Sequence, residues 1–340
     1  MSDSDVFGVQ NPHNGEIGYC CVLGALGEVC GLVVYLGSAG LEQHRKIQSG
    51  KVRAGSPEVA YNQTCLAAWF GKQRDLDQID LKVIKYLGLK YRGDIWPLFR
   101  SMQPGYLPWY LTDADAKFLT LCLTHARQTA HRFGEDPSYL KAPGKNRYLV
   151  HVPLRTASPR PRARTSDASL PSGQPSLFPE PVEPPDFEWE ARWLSPALPV
   201  KTAVKPFPID EVRLQRIKKS SRGAGGVWEI DAFFLPAPVA EGDRPYFPYT
   251  LLCADGRSGF ILATVLAKPS DWEVEFPKTI LDGIESHKLL PAKLAFRKDE
   301  LRELFGPLAS QLGIEVESAK KLPAVDRARR ELSKFMGQRR

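Results

Sequence analysis

The sequence lacks the cysteine spacings from which metal and redox sites are built. Its six cysteines include no C-x-x-C pair, and none is spaced with histidine to fit a zinc site. Cys20 and Cys21 are adjacent in a strand-like run, so their side chains point to opposite faces. We therefore expect buried, reduced thiols at Cys20, Cys21, Cys30, Cys65, Cys122 and Cys253.

Long apolar runs are also missing. No stretch approaches the roughly 18 uncharged apolar residues that indicate a membrane span. The N-terminal sequence MSDSDVFGVQNPHNGE is polar and acidic, unlike a secretory signal peptide. These two absences predict a cytoplasmic protein with no membrane partner.

Phosphate-binding loops are missing as well. Residues 15–41 are rich in glycine, but no G-x-G-x-x-G and no G-K-[ST] follows. Two apolar runs, Ile17–Leu23 and Val29–Leu36, flank the glycine-containing turn GALGE, and this pattern predicts a β-hairpin. We expect the glycines to serve turns and bulges rather than to cradle a phosphate.

No dedicated basic domain is evident, although the net charge is +7. Residues 226–340 carry 17 Lys/Arg and 17 Asp/Glu and are neutral. Short basic clusters occur at Arg160–Arg164, Arg216–Arg222 and Arg339–Arg340. We interpret them as solvated linker and tail charges. A nucleic-acid-binding surface formed by the first two clusters is the alternative.

What the chain does contain is enough apolar sequence for two folded domains. Its 340 residues, 43% hydrophobic and 25% charged, are ordinary for globular proteins. A Pro-, Ser- and Arg-rich stretch has nothing to form a core, and we expect it to be a disordered insertion between strands at 147–155 and Phe187–Leu194. The predicted division is an N-terminal α+β domain at 1–196 with its insertion at 156–185, a linker at 197–225 and a second domain at 226–340.

Two further segments of the N-terminal half carry specific expectations. The stretch Trp96–Tyr110, WPLFRSMQPGYLPWY, either packs its aromatic side chains on the domain's own core or forms a groove for a protein partner. Residues 113–132 have helical spacing, with Asp113 as the expected N-cap. His125 and His131 in this helix are expected at the surface or at a cap.

The order of strands and helices in the C-terminal half can be predicted from its sequence. The sequence DGRS at 255–258 is a hairpin turn signal between two of its strands. The predicted order is β-β-β-α-β-α-β-α, with strands at Val227–Leu235, Tyr249–Ala254, Gly259–Leu266, Lys293–Phe296 and Ile314–Glu317, and helices at Thr279–His287, Asp299–Leu312 and Ala324–Met336. Three sequential antiparallel strands followed by βα units predict a mixed sheet covered by helices.

This order resembles the ribonuclease H-like fold of integrases and transposases. WEIDAFFL places Asp231 within the first strand, as in integrase cores that read W-x-x-D, and LAFRKDELRELFGPLASQLGIEVE places Asp299 where an acidic residue ends the fourth strand. The fold class implied for the whole chain is α+β or mixed α/β, with a C-terminal ribonuclease H-like domain.

The resemblance also implies a chemistry. Sites of this class hold two Mg²⁺ or Mn²⁺ ions, roughly 3.5–4 Å apart, between converging carboxylates. The candidate ligands and catalytic residues are Asp231, Glu285, Asp299 and either Asp326 or Glu331, with Asp231 and Asp299 as the principal metal ligands. A structural interpretation stays open for each, since Asp299 suits a helix N-cap and Asp231 shares a strand face with Glu229 that could be solvated.

Most of the chain, except residues 156–185, resembles uncharacterised bacterial proteins built from two consecutive domains of unknown function. The resemblance lies in FGVQNPHNGEIGYCCVLGALGEVCGLVVYLGSAGL and in YTLLCADGRSGFILATVL with the region that follows it. It implies a bacterial, cytoplasmic protein and brings no activity. We therefore expect a non-enzymatic interaction or regulatory protein with a catalytically degenerate ribonuclease H-like domain and no cofactor, which binds a partner through Trp96–Tyr110 or the insertion at 156–185. The alternatives are a metal-dependent nuclease or polynucleotidyl transferase, and a nucleic-acid binder without chemistry.

Overall fold

The structure is a computed structural model. It describes residues 1–24, 30–52, 57–93, 95–154, 187–198, 204–205, 207–208, 210–223 and 226–337. Its first compact unit comprises Met1–His44, Cys65–Arg100 and Leu111–Pro199, and its second comprises Arg45–Thr64, Ser101–Tyr110 and Val200–Arg340. No helix within the described ranges is both long and apolar enough to cross a bilayer.

The first unit is built on a mixed sheet. Its strands are β1 Val6–Gln10, β2 Ile17–Leu23, β3 Cys30–Leu36, β4 Cys65–Gly71, β5 Trp96–Met102, β6 Tyr148–Leu154 and β7 Glu188–Leu194, in the spatial order β5-β4-β3-β2-β1-β6-β7. The predicted hairpin is confirmed as the antiparallel pair β2–β3, with Cys20 opposite Val34. Residues 25–29 of its turn lie outside the described residues.

Strand β7 is the predicted strand that returns after the insertion. It pairs antiparallel with β6, with Tyr148 opposite Leu194 and Leu154 opposite Glu188. Strand β6 in turn pairs parallel with β1. The segment at 156–185, predicted to be disordered, is thus inserted between two neighbouring strands and lies outside the described residues.

The helices of the N-terminal half are α1 Gly37–Gln48, α2 Pro57–Asn62, α3 Gln78–Tyr86 and α4 Asp113–Glu135. Helix α4 packs Phe118, Leu119 and Cys122 against the sheet. Two expectations for α4 were wrong. Its N-cap is Thr112, whose hydroxyl accepts from the amide of Asp115 at 3.1 Å, and His125 is buried rather than exposed. All six cysteines are free, and Cys30 is exposed while the other five are buried.

The second unit confirms a mixed α and β architecture for the C-terminal half. Its elements are α5 Glu211–Ser220, β8 Arg222–Gly223, β9 Val227–Phe234, β10 Tyr249–Asp255, β11 Ile261–Ala267, α6 Trp272–His287, β12 Leu289–Leu290, β13 Lys293–Phe296, α7 Asp299–Leu312, β14 Glu315–Ser318 and α8 Pro323–Gly337. The main sheet has the order β11-β10-β9-β13-β14. Strands β9, β10 and β11 are antiparallel neighbours, and β13 is parallel to both β9 and β14.

The two faces of this sheet pack against different helices. Trp228, Ile230 and Ala232 of β9 point into a large apolar core that also contains buried residues of α5, α6 and α7. Phe233 points to the opposite face, into a smaller cluster with Val325 of α8. Strand alternation therefore decides which helix each β9 side chain meets.

The predicted linker 197–225 contains a core helix instead. Helix α5 reads EVRLQRIKKS, and its few apolar residues include Leu214 and Ile217, both buried in the large core. Sequence inspection missed it because polar residues dominate the segment. Two buried side chains three residues apart are enough to hold one face of a helix against a core.

The aromatic stretch Trp96–Tyr110 is divided between the units at Arg100. Its second half contacts other segments of the second unit through backbone hydrogen bonds, since the amide of Leu107 donates to the carbonyl of Pro245 at 3.0 Å and the amide of Phe247 to that of Gly105 at 2.7 Å. These bonds explain why Ser101–Tyr110 groups with the C-terminal half, although the sequence predicted all of 1–196 as one domain.

Candidate functional site

The strand β9 carries two acidic side chains on the face that α8 covers. Glu229 and Asp231 alternate with Trp228 and Ile230, as the sequence suggested, but that face is not solvated. Glu229 is 7% exposed and Asp231 only 1%. A carboxylate in such a position needs charged or hydrogen-bonding partners, because burial alone disfavours its ionised form.

Asp231 has such a partner in Arg297, the residue directly after β13. The Nη1 atom of Arg297 donates to Oδ2 of Asp231 at 3.0 Å, and its Nη2 atom donates to Oδ1 of Asp326 at 2.6 Å. Asp326 lies in the first turn of α8. One guanidinium thus joins the central strand, the end of β13 and the last helix.

The electrostatics of this cluster are asymmetric. Burial raises the pKa of Asp231 above its usual range, although the charges of Lys298 and Arg297 oppose the rise. Burial also tends to raise the pKa of Asp326, but the hydrogen bond and charge of Arg297 outweigh it and leave that pKa lowered. Arg297 therefore offsets part of the desolvation cost of burying Asp231. It also forms an ion pair with Asp326, which is more exposed.

Glu229 stabilises the beginning of α8. Its Oε2 atom accepts from the backbone amides of Ala324 at 2.7 Å and Val325 at 3.1 Å. The first amides of a helix have no partner within the helix, and the N-terminal end of the helix favours a negative charge. Glu229 therefore caps α8, although it belongs to the sheet and not to the helix.

Each of the other predicted ligands has a different basic partner. Glu285 of α6 accepts from Arg213 at 2.7 Å, Asp299 pairs with Arg302 at 3.0 Å, and Glu331 pairs with Lys334 at 2.9 Å. Asp299 is the first residue of α7, and Lys298 takes the N-cap position. No group of three or more His, Cys, Asp or Glu side chains able to hold a metal ion occurs among the described residues.

Asp299 instead lines a cavity of about 620 Å³ in the second unit. The lining residues are Asn62, Pro104, Val204, Phe234, Tyr249, Pro269, Trp272, Lys298, Asp299, Glu300 and Glu303. Lys298 donates to the phenol oxygen of Tyr249 at 3.0 Å, and that phenol donates to Glu300 at 2.7 Å. Burial and the neighbouring Glu300 raise the pKa of Tyr249 well above its usual value, so the phenol stays neutral.

Sequence reasoning found Asp231 and Asp326 but missed Arg297. The signal was present, since a basic residue directly follows the strand predicted at Lys293–Phe296. The resemblance instead indicates Asp299, two residues later, because it implies an acidic residue at the end of this strand. The position directly after the strand is the one that lies beside Asp231.

Comparison with known proteins gives two consecutive domains of unknown function, as the resemblance predicted. Residues 1–151 match the domain of unknown function DUF7309, and residues 213–333 match the domain of unknown function DUF6930. The second match begins within α5, consistent with the packing of that helix in the second unit's core. No curated protein and no solved structure matches the chain.

Proposed function

We propose that this chain is a non-enzymatic interaction or regulatory protein whose C-terminal domain is a catalytically degenerate ribonuclease H-like domain. The fold assignment is supported by the order of elements and by the directions of the strands. Three antiparallel strands, β9 to β11, are followed by two strands that add parallel to β9 on its other side. Asp231 lies within β9, the central strand of this sheet.

The observation that carries the proposal is the position of Arg297. In a two-metal site, the cations lie between carboxylates that converge from several elements. Here the carboxylates of Asp231 and Asp326 converge, but a guanidinium lies between them and donates to both. These residues do not fit Mg²⁺ or Mn²⁺, because an added cation would meet a fixed positive charge.

Two buried cysteines are held in their protonated forms. Burial raises the pKa of Cys21 and of Cys65 to about 12, and the nearby Asp3 and Asp5 add to the rise at Cys21. A thiol reacts as the thiolate, so these cysteines are inert near neutral pH. Together with the neutral phenol of Tyr249, they favour a binding role over catalysis.

The proposed role requires a surface for a partner. Ser101–Tyr110 contacts the second unit's own segments and Arg100 is buried, so the part of Trp96–Tyr110 that we propose for a partner is Trp96–Phe99. Phe99 in that part is exposed. The other predicted partner segment, 156–185, lies outside the described residues.

The test of the proposal is thermal unfolding of the full chain with and without millimolar Mg²⁺ or Mn²⁺. A ligand that binds only the native state at a hundredfold excess over its Kd stabilises it by about 2.7 kcal/mol. We expect no metal-dependent rise in the unfolding temperature and no metal-dependent cleavage of DNA or RNA. A rise that disappears in Asp231→Asn would instead support the metal-dependent nuclease.

A second variant tests whether Arg297 fills the place of a metal. Arg297→Asp removes the guanidinium and adds a third carboxylate beside Asp231 and Asp326. Mutual repulsion should lower its unfolding temperature in a metal-free buffer, and Mn²⁺ should restore part of the loss. Arg302→Asp, which changes charge equally at an exposed ion pair with Asp299, is the matched control and should show no response to Mn²⁺.

A further inference from the structure

The cavity of the second unit has no role in the proposed function. Its volume is about 620 Å³, and protein sites for small molecules commonly enclose about 300–1,000 Å³. All of its lining residues belong to the second unit, although they come from segments far apart in the chain. The cavity therefore has the size of a binding site for a small organic molecule.

Three aromatic residues form much of the apolar lining. The ring of Tyr249 packs against those of Phe234 and Trp272, with ring centroids 4.7 Å and 5.6 Å away. The rings of Tyr249 and Trp272 are almost perpendicular, at 89°. Pro104 and Pro269 add further apolar surface. Such a lining suits a flat apolar ligand, and the faces of aromatic rings also attract cations.

The wall at Pro104 is held in place by its neighbour Gly105. This glycine has a φ of +79°, and a Cβ atom there would lie 2.6 Å from the ring of Phe234 and 2.7 Å from Pro269. Its amide donates to the carbonyl of Tyr61 at 2.8 Å, and its carbonyl accepts from the amide of Phe247 at 2.7 Å. Both the left-handed conformation and the close approach favour glycine. A wall fixed in this way is formed without a ligand, which reduces the entropic cost of binding.

Carboxylates outnumber cations in the lining. Among the described residues that line the cavity, Lys298 is the only basic one, whereas Asp299, Glu300 and Glu303 are acidic. Lys298 already has partners, since its ammonium donates to the phenol oxygen of Tyr249 at 3.0 Å and lies 3.7 Å from Oε1 of Glu300. An anionic ligand would therefore meet three carboxylates and a lysine that is already paired.

Two of these carboxylates keep an oxygen atom for a ligand. Glu300 uses Oε1 for its contacts with both Tyr249 and Lys298. Asp299 uses Oδ1 for Arg302, which does not line the cavity. Within the described part of the chain, Oε2 of Glu300 and Oδ2 of Asp299 have no partner. Such an oxygen suits an ammonium group, because hydrogen bonds between ionised groups are stronger than neutral ones.

We propose that this cavity binds a small aromatic amine, whose flat body lies against the aromatic rings and whose ammonium lies beside Glu300. The rings select a flat apolar body, and the excess of carboxylates selects a positive charge. The proposal goes beyond the interaction role proposed above, because it assigns a ligand site and a class of ligand to the second unit.

Two probes separate the contribution of charge from that of shape. Tryptamine and indolepropionate carry the same indole ring and ethylene chain, but tryptamine ends in an ammonium and indolepropionate in a carboxylate. Their dissociation constants for the full chain are measured by ligand-observed NMR titration at low salt. A metal chelator in the buffer keeps the test separate from metal binding. We expect tryptamine to bind about tenfold or more tightly than indolepropionate.

Matched variants locate the contact. Glu300→Gln keeps the size of the side chain but removes its charge, so it should weaken tryptamine binding about fivefold or more and should not weaken indolepropionate binding. Asp299→Asn, at an exposed position, should act in the same direction. Glu331→Gln, which removes a charge paired with Lys334 outside the cavity, is the control and should leave both affinities unchanged. Trp272→Leu should weaken both probes by a similar factor, because it removes aromatic surface and no charge.

Several outcomes would overturn the proposal. Equal affinities for the two probes, tighter binding of indolepropionate, or no binding of tryptamine at millimolar concentration would each do so. Equal weakening of tryptamine binding in Glu300→Gln and Glu331→Gln would indicate a general effect of charge. An unchanged tryptamine affinity in Trp272→Leu would place the amine elsewhere. Circular dichroism and the unfolding temperature confirm that each variant is folded. None of these outcomes bears on metal binding, so the proposed function could fail or stand separately.

Discussion

The guanidinium of Arg297 lies 3.0 Å from the carboxylate of Asp231, on the face of the second sheet that α8 covers. The side chain of Asp231 is almost completely buried, whereas 29% of the Arg297 side chain is exposed. The pair is therefore unequal. The acidic partner bears most of the cost of desolvation, and the basic partner offsets it.

This inequality predicts different effects of removing each partner. Arg297→Met leaves an uncompensated buried carboxylate and should lower the free energy of unfolding by about 3 kcal/mol at neutral pH. Asp231→Asn removes the group whose ionised form burial disfavours, so it should change stability much less. Urea unfolding of both variants measures the difference, and equal losses would contradict the predicted asymmetry.

The same variant should show a characteristic pH dependence. Burial already raises the pKa of Asp231, and loss of Arg297 should raise it further. A carboxyl whose pKa is higher in the native state than in the unfolded state binds more protons when folded. The stability of Arg297→Met relative to the parent should therefore recover as pH falls through this pKa and decline as pH rises. A difference that stays constant from mildly acidic to neutral pH would argue against a buried carboxylate.

A buried histidine pair predicts acid sensitivity of the first unit. The rings of His125 and His151 stack with centroids 4.5 Å apart, and His151 shares a hydrogen bond with Thr129 at 3.0 Å. Burial lowers the pKa of each histidine from 6.5 to about 4, and at His151 the charges of His125 and Arg132 add to the shift. Both rings are therefore neutral in the folded protein near neutral pH.

The sign of the effect follows from proton uptake. Below about pH 6.5 the unfolded chain binds protons that the folded chain does not, so stability is complete above that pH and is lost as pH falls toward 4. Allowing for partial screening by solvent, the loss at pH 5 is on the order of 1 kcal/mol per histidine. His151→Gln should flatten the dependence of unfolding free energy on pH, whereas His131→Gln, at an exposed position of α4, should preserve it. An unchanged slope in His151→Gln would contradict the assignment.

Glu229 predicts a local effect at α8. Glu229→Ala removes the acceptor for the amides of Ala324 and Val325 and should cost about 1 to 2 kcal/mol, the usual magnitude for a lost helix cap. Hydrogen exchange at the first turn of α8 should accelerate more than exchange in β10. Glu331→Ala, which removes an exposed ion pair with Lys334 on the same helix, should change stability by less than about 0.5 kcal/mol. Equal effects of the two variants would mean that Glu229 is not a cap.

Helix α5 predicts where the second domain begins. Ile217 is fully buried, so Ile217→Ala should lower the unfolding free energy by about 2 to 5 kcal/mol. Val212→Ala, on the exposed side of the same helix, should have almost no effect. If neither variant lowered the unfolding free energy of the parent protein, α5 would be part of a linker, as the sequence suggested.

Part of the candidate site could be read directly from the sequence. Asp231 was identified from its place within a predicted strand, and Asp326 from its place at the start of a predicted helix. Their convergence with Arg297 could not be read, because it depends on β13 lying parallel beside β9 and on α8 crossing the opposite face from α6 and α7. Glu285 illustrates the converse, since its partner Arg213 lies 72 residues away on a helix that sequence inspection missed.

Local sequence patterns predict most strands and helices of this protein, with α5 as an exception. Continuous apolar runs predict the β2–β3 hairpin, and alternation predicts the return strand β7. Strand and helix periodicities predict the succession of elements after Val227, because such patterns are properties of neighbouring residues. Which charged side chains pair depends instead on long-range packing. Asp231 pairs with Arg297, Glu229 caps α8, and His125 is buried beside His151, and in each case the partners are far apart in the chain. Desolvation in the folded core makes these partners necessary, because a buried polar or charged group costs free energy unless it is compensated. No local sequence pattern records which residues are buried together.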